Sequence, residues 1–323
     1  MKQFGTITAT ASTLPETVIT NHDLTRLMET SDEWISSRTG IKERRIAVDQ
    51  TTSDLCFETA KKLLDQRNLL PEQLDFIIVA TMSPDYLTPS VAVQIQGRLG
   101  ASNAMGFDIS AACSGFVYAM SLGEKLIRCG ASCGLVIGGE TLSKLIDWTD
   151  RSTAVLFGDG AGGVLLEATT TQHLLAENLQ ADGTRYTSLT AGGKGNKNPF
   201  YKEESESSYY LQMDGRAIFD FAVRDVANNI KDTLQHQEAH EVDYLLLHQA
   251  NQRIIEKIAR KVKLPKEKFL VNMTKYGNTS AASIPILLDE AVKQDVIQLG
   301  SDQTILFAGY GGGLTWGSLL YRM

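Results

Sequence analysis

Phe107-Asp108-Ile109-Ser110-Ala111-Ala112-Cys113-Ser114-Gly115-Phe116 reads as an apolar run that turns into a helix, and part of it returns later in the chain. Ser110-Ala111-Ala112 recurs as Ser280-Ala281-Ala282 at an offset of 170, and Gly130 and Gly300 follow at the same offset. A β-like run precedes each motif, Phe76–Ala80 and Tyr244–His248. Another follows each Gly, Gly134–Gly138 and Thr304–Ala308. The order strand, motif, helix, Gly, strand therefore occurs twice, which signals an internal duplication.

The helices have the expected period. Ser114–Arg128 carries apolar Phe116, Ala119, Leu122 and Leu126, with Gly130 as its stop, and Ser280–Val292 carries Ile284, Leu287, Leu288 and Val292. Short apolar strands alternating with helices imply an α/β fold with mixed sheets covered by helices. Two such halves, residues 1–168 and 169–323, would pack their repeated helices face to face between two sheets. The result is a duplicated five-layer αβαβα sandwich, with the hinge expected in Glu167–Thr171 and a polar surface excursion at Gly192–Ser208.

Bulk properties exclude several classes. The 323 residues are 43% hydrophobic and 21% charged, enough apolar mass for a large core. A net charge of −7 gives no general attraction for nucleic acid, so any anionic partner must meet a local basic patch. Four cysteines are too few for a disulfide framework, and Cys56, Cys129 and Cys133 read as small buried hydrophobes with no metal site around them. The Met1–Ile7 start lacks the form of a signal peptide and no run of 18 apolar residues occurs, so the expectation is a cytoplasmic chain with no membrane span.

Cys113 sits where a strand becomes a helix. Unpaired N–H groups and partial positive charge at a helix start favour a thiolate, so its pKa is expected to fall. Taken alone, a buried structural Cys is the commoner case. His248 ends an apolar strand, the side of an open α/β sheet where ligands bind. Asn278 lies in Lys275–Ala282, just before the second repeated helix and five residues before Ser283, the partner of Cys113 at that offset. The duplication predicts that the two helix starts face each other, bringing Asn278 toward Cys113. Gly311-Gly312-Gly313 can turn backbone N–H groups toward an oxyanion, and nothing there matches a P-loop.

The chain resembles the β-ketoacyl-[acyl carrier protein] synthase III family, the initiating condensing enzymes of type II fatty acid synthesis. The resemblance runs its whole length, through Thr30–Gly40, Asp108–Gly115, Asp147–Arg151, Phe157–Gly160, His248–Asn251, Tyr276–Ala282 and Gly311–Gly317. It implies a thiolase-like fold, an acyltransferase and a catalytic set of Cys113, His248 and Asn278. Related elongating enzymes use Cys with two His, so Asn278 favours the initiating branch.

The resemblance also implies partners. Cys113 would take an acyl group from acyl-CoA, with its own N–H and that of Gly312 as the oxyanion hole. Malonyl-[acyl carrier protein] would then lose CO₂ and condense, with no metal or redox cofactor. Trp34 would stack on the CoA adenine, with Arg38 and Arg151 near the base and phosphates. Thr88, Leu142, Leu156, Phe157, Leu189 and Leu211 would line the acyl pocket, Thr88 entering from the partner of a homodimer where many relatives carry Phe. That smaller residue points toward longer or branched primers, with acetyl-CoA as the default. Within Asn251–Lys268 the basic residues Arg253, Lys257, Arg260 and Lys261 share one helical face, and Arg253, Arg260 and Lys261 are the expected docking residues for the acidic carrier. Several relatives carry Lys where Asp220 follows Phe219, so the patch is expected to be reduced or rotated there. Rival readings are a thiolase-fold acyltransferase without malonyl chemistry, against which His248 and Asn278 speak, and a non-catalytic binding subunit, against which Cys113 speaks.

Overall fold

The computed structural model describes residues 2–193, 200, 208–235 and 242–323. Most of the expected excursion at Gly192–Ser208 lies outside the described residues. Nine strands build two sheets. The first is formed by β1 (Phe4–Thr13), β2 (Phe76–Ala80), β3 (Met105–Ile109), β4 (Cys133–Glu140) and β5 (Gly160–Thr169), in the order β1-β5-β4-β2-β3. The second is formed by β6 (Leu174–Ala181), β7 (Tyr244–Leu247), β8 (Thr304–Gly311) and β9 (Thr315–Arg322), in the order β6-β9-β8-β7. The pairings match pair for pair. In the first sheet β2 runs parallel to β4, and β5 antiparallel to β4 and β1. In the second β7 runs parallel to β8, and β9 antiparallel to β8 and β6. The place of β3 is reduced there to one parallel bridge, Leu245 to Phe269.

Eight helices matter to the site: α1 (Asp32–Thr39), α2 (Thr52–Arg67), α3 (Val91–Leu99), α4 (Gly115–Arg128), α5 (Gly215–Phe221), α6 (Ala227–Gln235), α7 (Gln252–Val262) and α8 (Ser283–Lys293). Strand side chains alternate between faces. Phe76, Ile78 and Ala80 of β2 join a core with Phe116 and Met120 of α4, Ile284 and Leu288 of α8, and Phe307 and Leu319 of the other sheet. Ile77 and Val79 point the other way, into α2 and α3. The outer face of the second sheet is covered by α5, α6 and α7 through Ile218, Ile230, Ile254 and Ile258. These are the five layers expected, with α4 and α8 in the middle.

The register of the duplication differs from the lettering. β2 and β7 begin 168 residues apart, as do α4 and α8. Ala112 and Ser280, again 168 apart, both hold left-handed φ values of 45° and 49°. That conformation costs about 1–2 kcal/mol for a residue with a Cβ, and it fixes the turn before each central helix. The structural counterpart of Cys113 is therefore Ala281, and Ser283 matches Gly115. Gly300 ends no helix, because α8 stops at Lys293. Two further expectations are corrected. Leu122 is 40% exposed, while Ser121 and Glu124 lie on the buried face of α4. Cys129 is exposed, because it follows the last turn of α4 where the chain bends at Gly130.

Small residues let the layers close around the helix starts. A Cβ on Gly138 of β4 would collide with the Ala281 carbonyl, and one on Gly309 would lie 2.8 Å from Ser114 Cα. Gly138→Ala is expected to destabilise the chain by about 1–3 kcal/mol, the usual cost of overpacking. A lowered thermal midpoint checks this.

Candidate active site

Cys113 opens the helix start facing the Ser280–Ala282 turn, with Ala281 side chain and Gly115 in close approach. It is 5% exposed. The expected drop in thiol pKa is not what the structure holds. Burial pushes Cys113 up to about 12, because removing a thiolate from water outweighs the helix terminus. Gly311 abuts it: a Cβ there would meet Cys113 N at 2.9 Å and Sγ at 3.3 Å. Thr315 ties the glycine loop to the Cys113 turn, donating from Oγ1 to Gly312 O at 2.9 Å and to Ala111 O at 3.1 Å.

His248 follows β7, is 2% exposed, and pairs its Nδ1 with Ser283 Oγ at 2.8 Å. Burial drives its pKa down to about 3, so the ring is neutral at ordinary pH. Its ring and that of Tyr310 pack in a T shape with centres 5.2 Å apart. Asn278 is 6% exposed, and its backbone spans to Leu156 O and Gly158 N. Its side-chain Oδ1 accepts from Ser280 N at 2.8 Å, leaving the amide N–H groups to donate elsewhere.

Cys113, His248 and Asn278 line one cleft of about 310 Å³. Trp34, Arg38, Asn251 and Ile254 also line it, as do Leu156, Phe157 and Leu189. Leu142 and Leu211, expected in the pocket, do not reach it; they pack with Leu145, Ile146 and Phe157 in the cluster behind its wall. Thr88 is exposed, outside its own chain's cleft. Gly312 turns its α-carbon toward Leu189, and Gly311 supplies the lining. Val155, Met213, Ile218 and Phe219 complete the apolar wall; only Phe219 was singled out in the sequence, and for its neighbour rather than for the pocket. The buried Arg44 guanidinium holds that wall by donating to Val155 O at 2.7 Å. Ser283, too, has a role that only the fold reveals.

At the mouth, Trp34 lies under two guanidiniums, Arg38 at 4.7 Å and Arg151 at 4.5 Å from its ring centre. Arg151 also donates to Glu29 O at 3.0 Å. Helix α7 starts beside them, Asn251 Nδ2 donating to Arg38 O at 3.1 Å. Ile254 and Ile258 anchor α7 while Arg253 and Arg260 are exposed and Lys261 half-buried. Arg260 stands 3.9 Å from Glu256. Among the described residues no group of three or more His, Cys, Asp or Glu could hold a metal ion, and no helix is long and apolar enough to cross a membrane.

Family models described as 3-oxoacyl-[acyl-carrier-protein] synthase III and its C-terminal part match residues 107–183 and 235–323. The chain is 60% identical over 324 residues to the β-ketoacyl-[acyl-carrier-protein] synthase III of Enterococcus faecalis, covering all of both chains. It is 56% identical over 320 residues to that of Streptococcus pneumoniae R6, covering 98% of each. The crystal structure of the Aquifex aeolicus VF5 3-oxoacyl-[acyl-carrier-protein] synthase III superposes with a TM-score of 0.91 at 44% identity, covering 99% of this chain and 100% of that one. With a buried Cys, His and Asn meeting in one cleft, on a duplicated five-layer body that these relatives share from end to end, the chain belongs to the β-ketoacyl-[acyl carrier protein] synthase III family.

Proposed function

We propose a division of labour within the cleft for the reaction of this family, the condensation of an acyl-CoA with malonyl-[acyl carrier protein] to 3-oxoacyl-[acyl carrier protein], CoA and CO₂. The observation that carries it is the meeting of Cys113, His248 and Asn278 in one cleft. Cys113 attacks the acyl-CoA thioester. The Cys113 and Gly312 N–H groups hold the oxyanion, CoA departs, and the acyl group stays on sulfur.

Malonyl-[acyl carrier protein] enters next. His248 and Asn278 donate to its thioester oxygen, where charge collects as CO₂ leaves. Ser283 Oγ accepts from Gln249 N–H at 3.3 Å and pairs with His248 Nδ1 at 2.8 Å, which fixes the orientation of the ring. A neutral imidazole and an amide are donors suited to an enolate. Carbon attack on the acyl-Cys carbonyl completes the step, which draws on CO₂ release rather than on a cofactor.

The CoA adenine takes the place of a guanidinium against Trp34, with Arg38 and Arg151 displaced toward the phosphates. Base stacking is worth about 1–3 kcal/mol. Trp34→Ala is therefore expected to raise KM for acyl-CoA about tenfold and to leave that for the malonyl carrier nearly unchanged in steady-state assays. Arg253, Arg260 and Lys261 present the docking face for an acidic carrier beside the mouth. Residues 1–168 and 169–323 are the two halves of the duplication. The enzyme acts in the cytoplasm as a homodimer in which Thr88 closes the partner's cleft, a reading supported by its exposure beside exposed Tyr86 and Leu87. Mixing the protein with acyl-CoA alone tests the first half-reaction: free CoA should appear with the acyl group on the Cys113 peptide, and an unmodified Cys113 would overturn the scheme.

A further inference from the structure

Glu140 closes β4 with no solvent exposure. Its carboxylate accepts from Ser83 Oγ at 2.5 Å and from Ser83 N, Met82 N and Thr81 Oγ1 at 3.1 Å. All four donors are neutral, and among the described residues no cation pairs with it. Burial therefore lifts its pKa to about 7, where a carboxyl group can take and return protons near neutrality.

Ser280 connects this acid to the nucleophile. Its left-handed turn packs against both the end of β4 and the Cys113 turn. Its hydroxyl oxygen is buried with no hydrogen-bond partner, and it lies near enough to both the Cys113 thiol and the Glu140 carboxylate to favour the charged form of each. The nucleophile needs such a route. Its thiol is not ionised at rest, and His248 is too weakly basic to hold its proton. Besides Cys113, the buried thiol of Cys56 in α2 feels the Glu140 charge, together with those of Asp85 in the loop before α3 and Asp108 of β3. Asp108 is engaged as an acceptor for the Val91 and Ala92 N–H groups, and Asp85 for those of Thr52 and Ser53.

We propose that Glu140, acting through the Ser280 hydroxyl, receives the Cys113 proton as the thioester is attacked. The S–H bond breaks as the S–C bond forms, and the carbonyl π pair moves onto oxygen. The thiol proton passes to Ser280 Oγ while the Ser280 proton passes to Glu140. When the oxyanion collapses, the C–S pair leaves with the CoA sulfur, and the same path in reverse protonates it. Glu140 is thus a proton-positioning residue, and the inference rests on the condensing-enzyme reading above.

Single-turnover acylation by acetyl-CoA is measured against pH, beside alkylation of Cys113 by iodoacetamide under alkaline conditions, where bulk base ionises the thiol. Wild-type acylation should rise with pH through about 7. Glu140→Gln and Ser280→Ala should each lose that rise and acylate about 10²-fold more slowly at neutral pH. Alkylation should be undiminished in Glu140→Gln, since removing a nearby negative charge eases thiolate formation. Wild-type acylation rates in both variants, slower acylation with the rise intact, or parallel loss of acylation and alkylation would each overturn the relay. A wild-type protein that takes no acyl group would instead overturn the reading beneath it.

Discussion

A Cys113→Ser chain is expected to keep its fold and to lose acyl transfer from CoA by on the order of 10³-fold or more, the scale on which removing a nucleophile acts. Burial argues for so large a loss, because a serine hydroxyl there has no route to the alkoxide in the absence of a strong base. The substitution itself removes little volume, so a thermal midpoint near that of the parent should accompany the loss. CoA release by the purified variant is the readout. Retained acyl transfer would mean that another group carries the acyl chain.

His248→Ala and Asn278→Ala are expected to show the second large effect, and on the other half of the reaction. Each removes one donor to the developing enolate, worth about 10²–10³-fold in rate. Malonyl-carrier decarboxylation should fall by that factor while acylation from CoA is much less affected. The pH dependence follows from burial. His248 takes up a proton only near pH 3, so it adds no acid limb to decarboxylation between mildly acidic and neutral pH. A limb in that range that vanished in His248→Ala would place a charged imidazole in the mechanism. Equal damage to both half-reactions would undo the separation of roles.

Much of the fold was legible because its strands are written in consecutive apolar letters. Phe76–Ala80 is buried on both faces, and no other reading suits such a run between turns. The register of the duplication was not legible. Three repeated letters align Ser110 with Ser280, but backbone conformation aligns Ala112 with Ser280, and neither alanine nor serine advertises a left-handed turn. Leu122 misled for a related reason. The buried face of α4 is held partly by polar bonds, Glu124 to Gly5 N at 2.6 Å and Ser121 to Glu177 at 2.5 Å, which periodicity of apolar residues cannot register.

The site divided in the same way. Cys113, His248 and Asn278 carry their chemistry in their side chains and stand at element ends, where motifs are read easily. The pocket wall does not. Leu142 and Leu211 look no different in sequence from Leu156 and Leu189, and only packing decides which pair faces the cleft. Thiol ionisation is also a property of the surroundings. A helix start argues for a lower pKa, and burial reverses the sign.

The most direct test of the account supplies the purified protein with malonyl-[acyl carrier protein] and a panel of acyl-CoAs from acetyl to short branched chains, scoring CO₂ and the 3-oxoacyl carrier together. The account predicts matched release of CO₂ and product with at least one primer, and with Thr88 in place of a bulkier residue it predicts acceptance beyond acetyl. No ketoacyl product with any primer, from a protein that is folded and binds CoA, would contradict it.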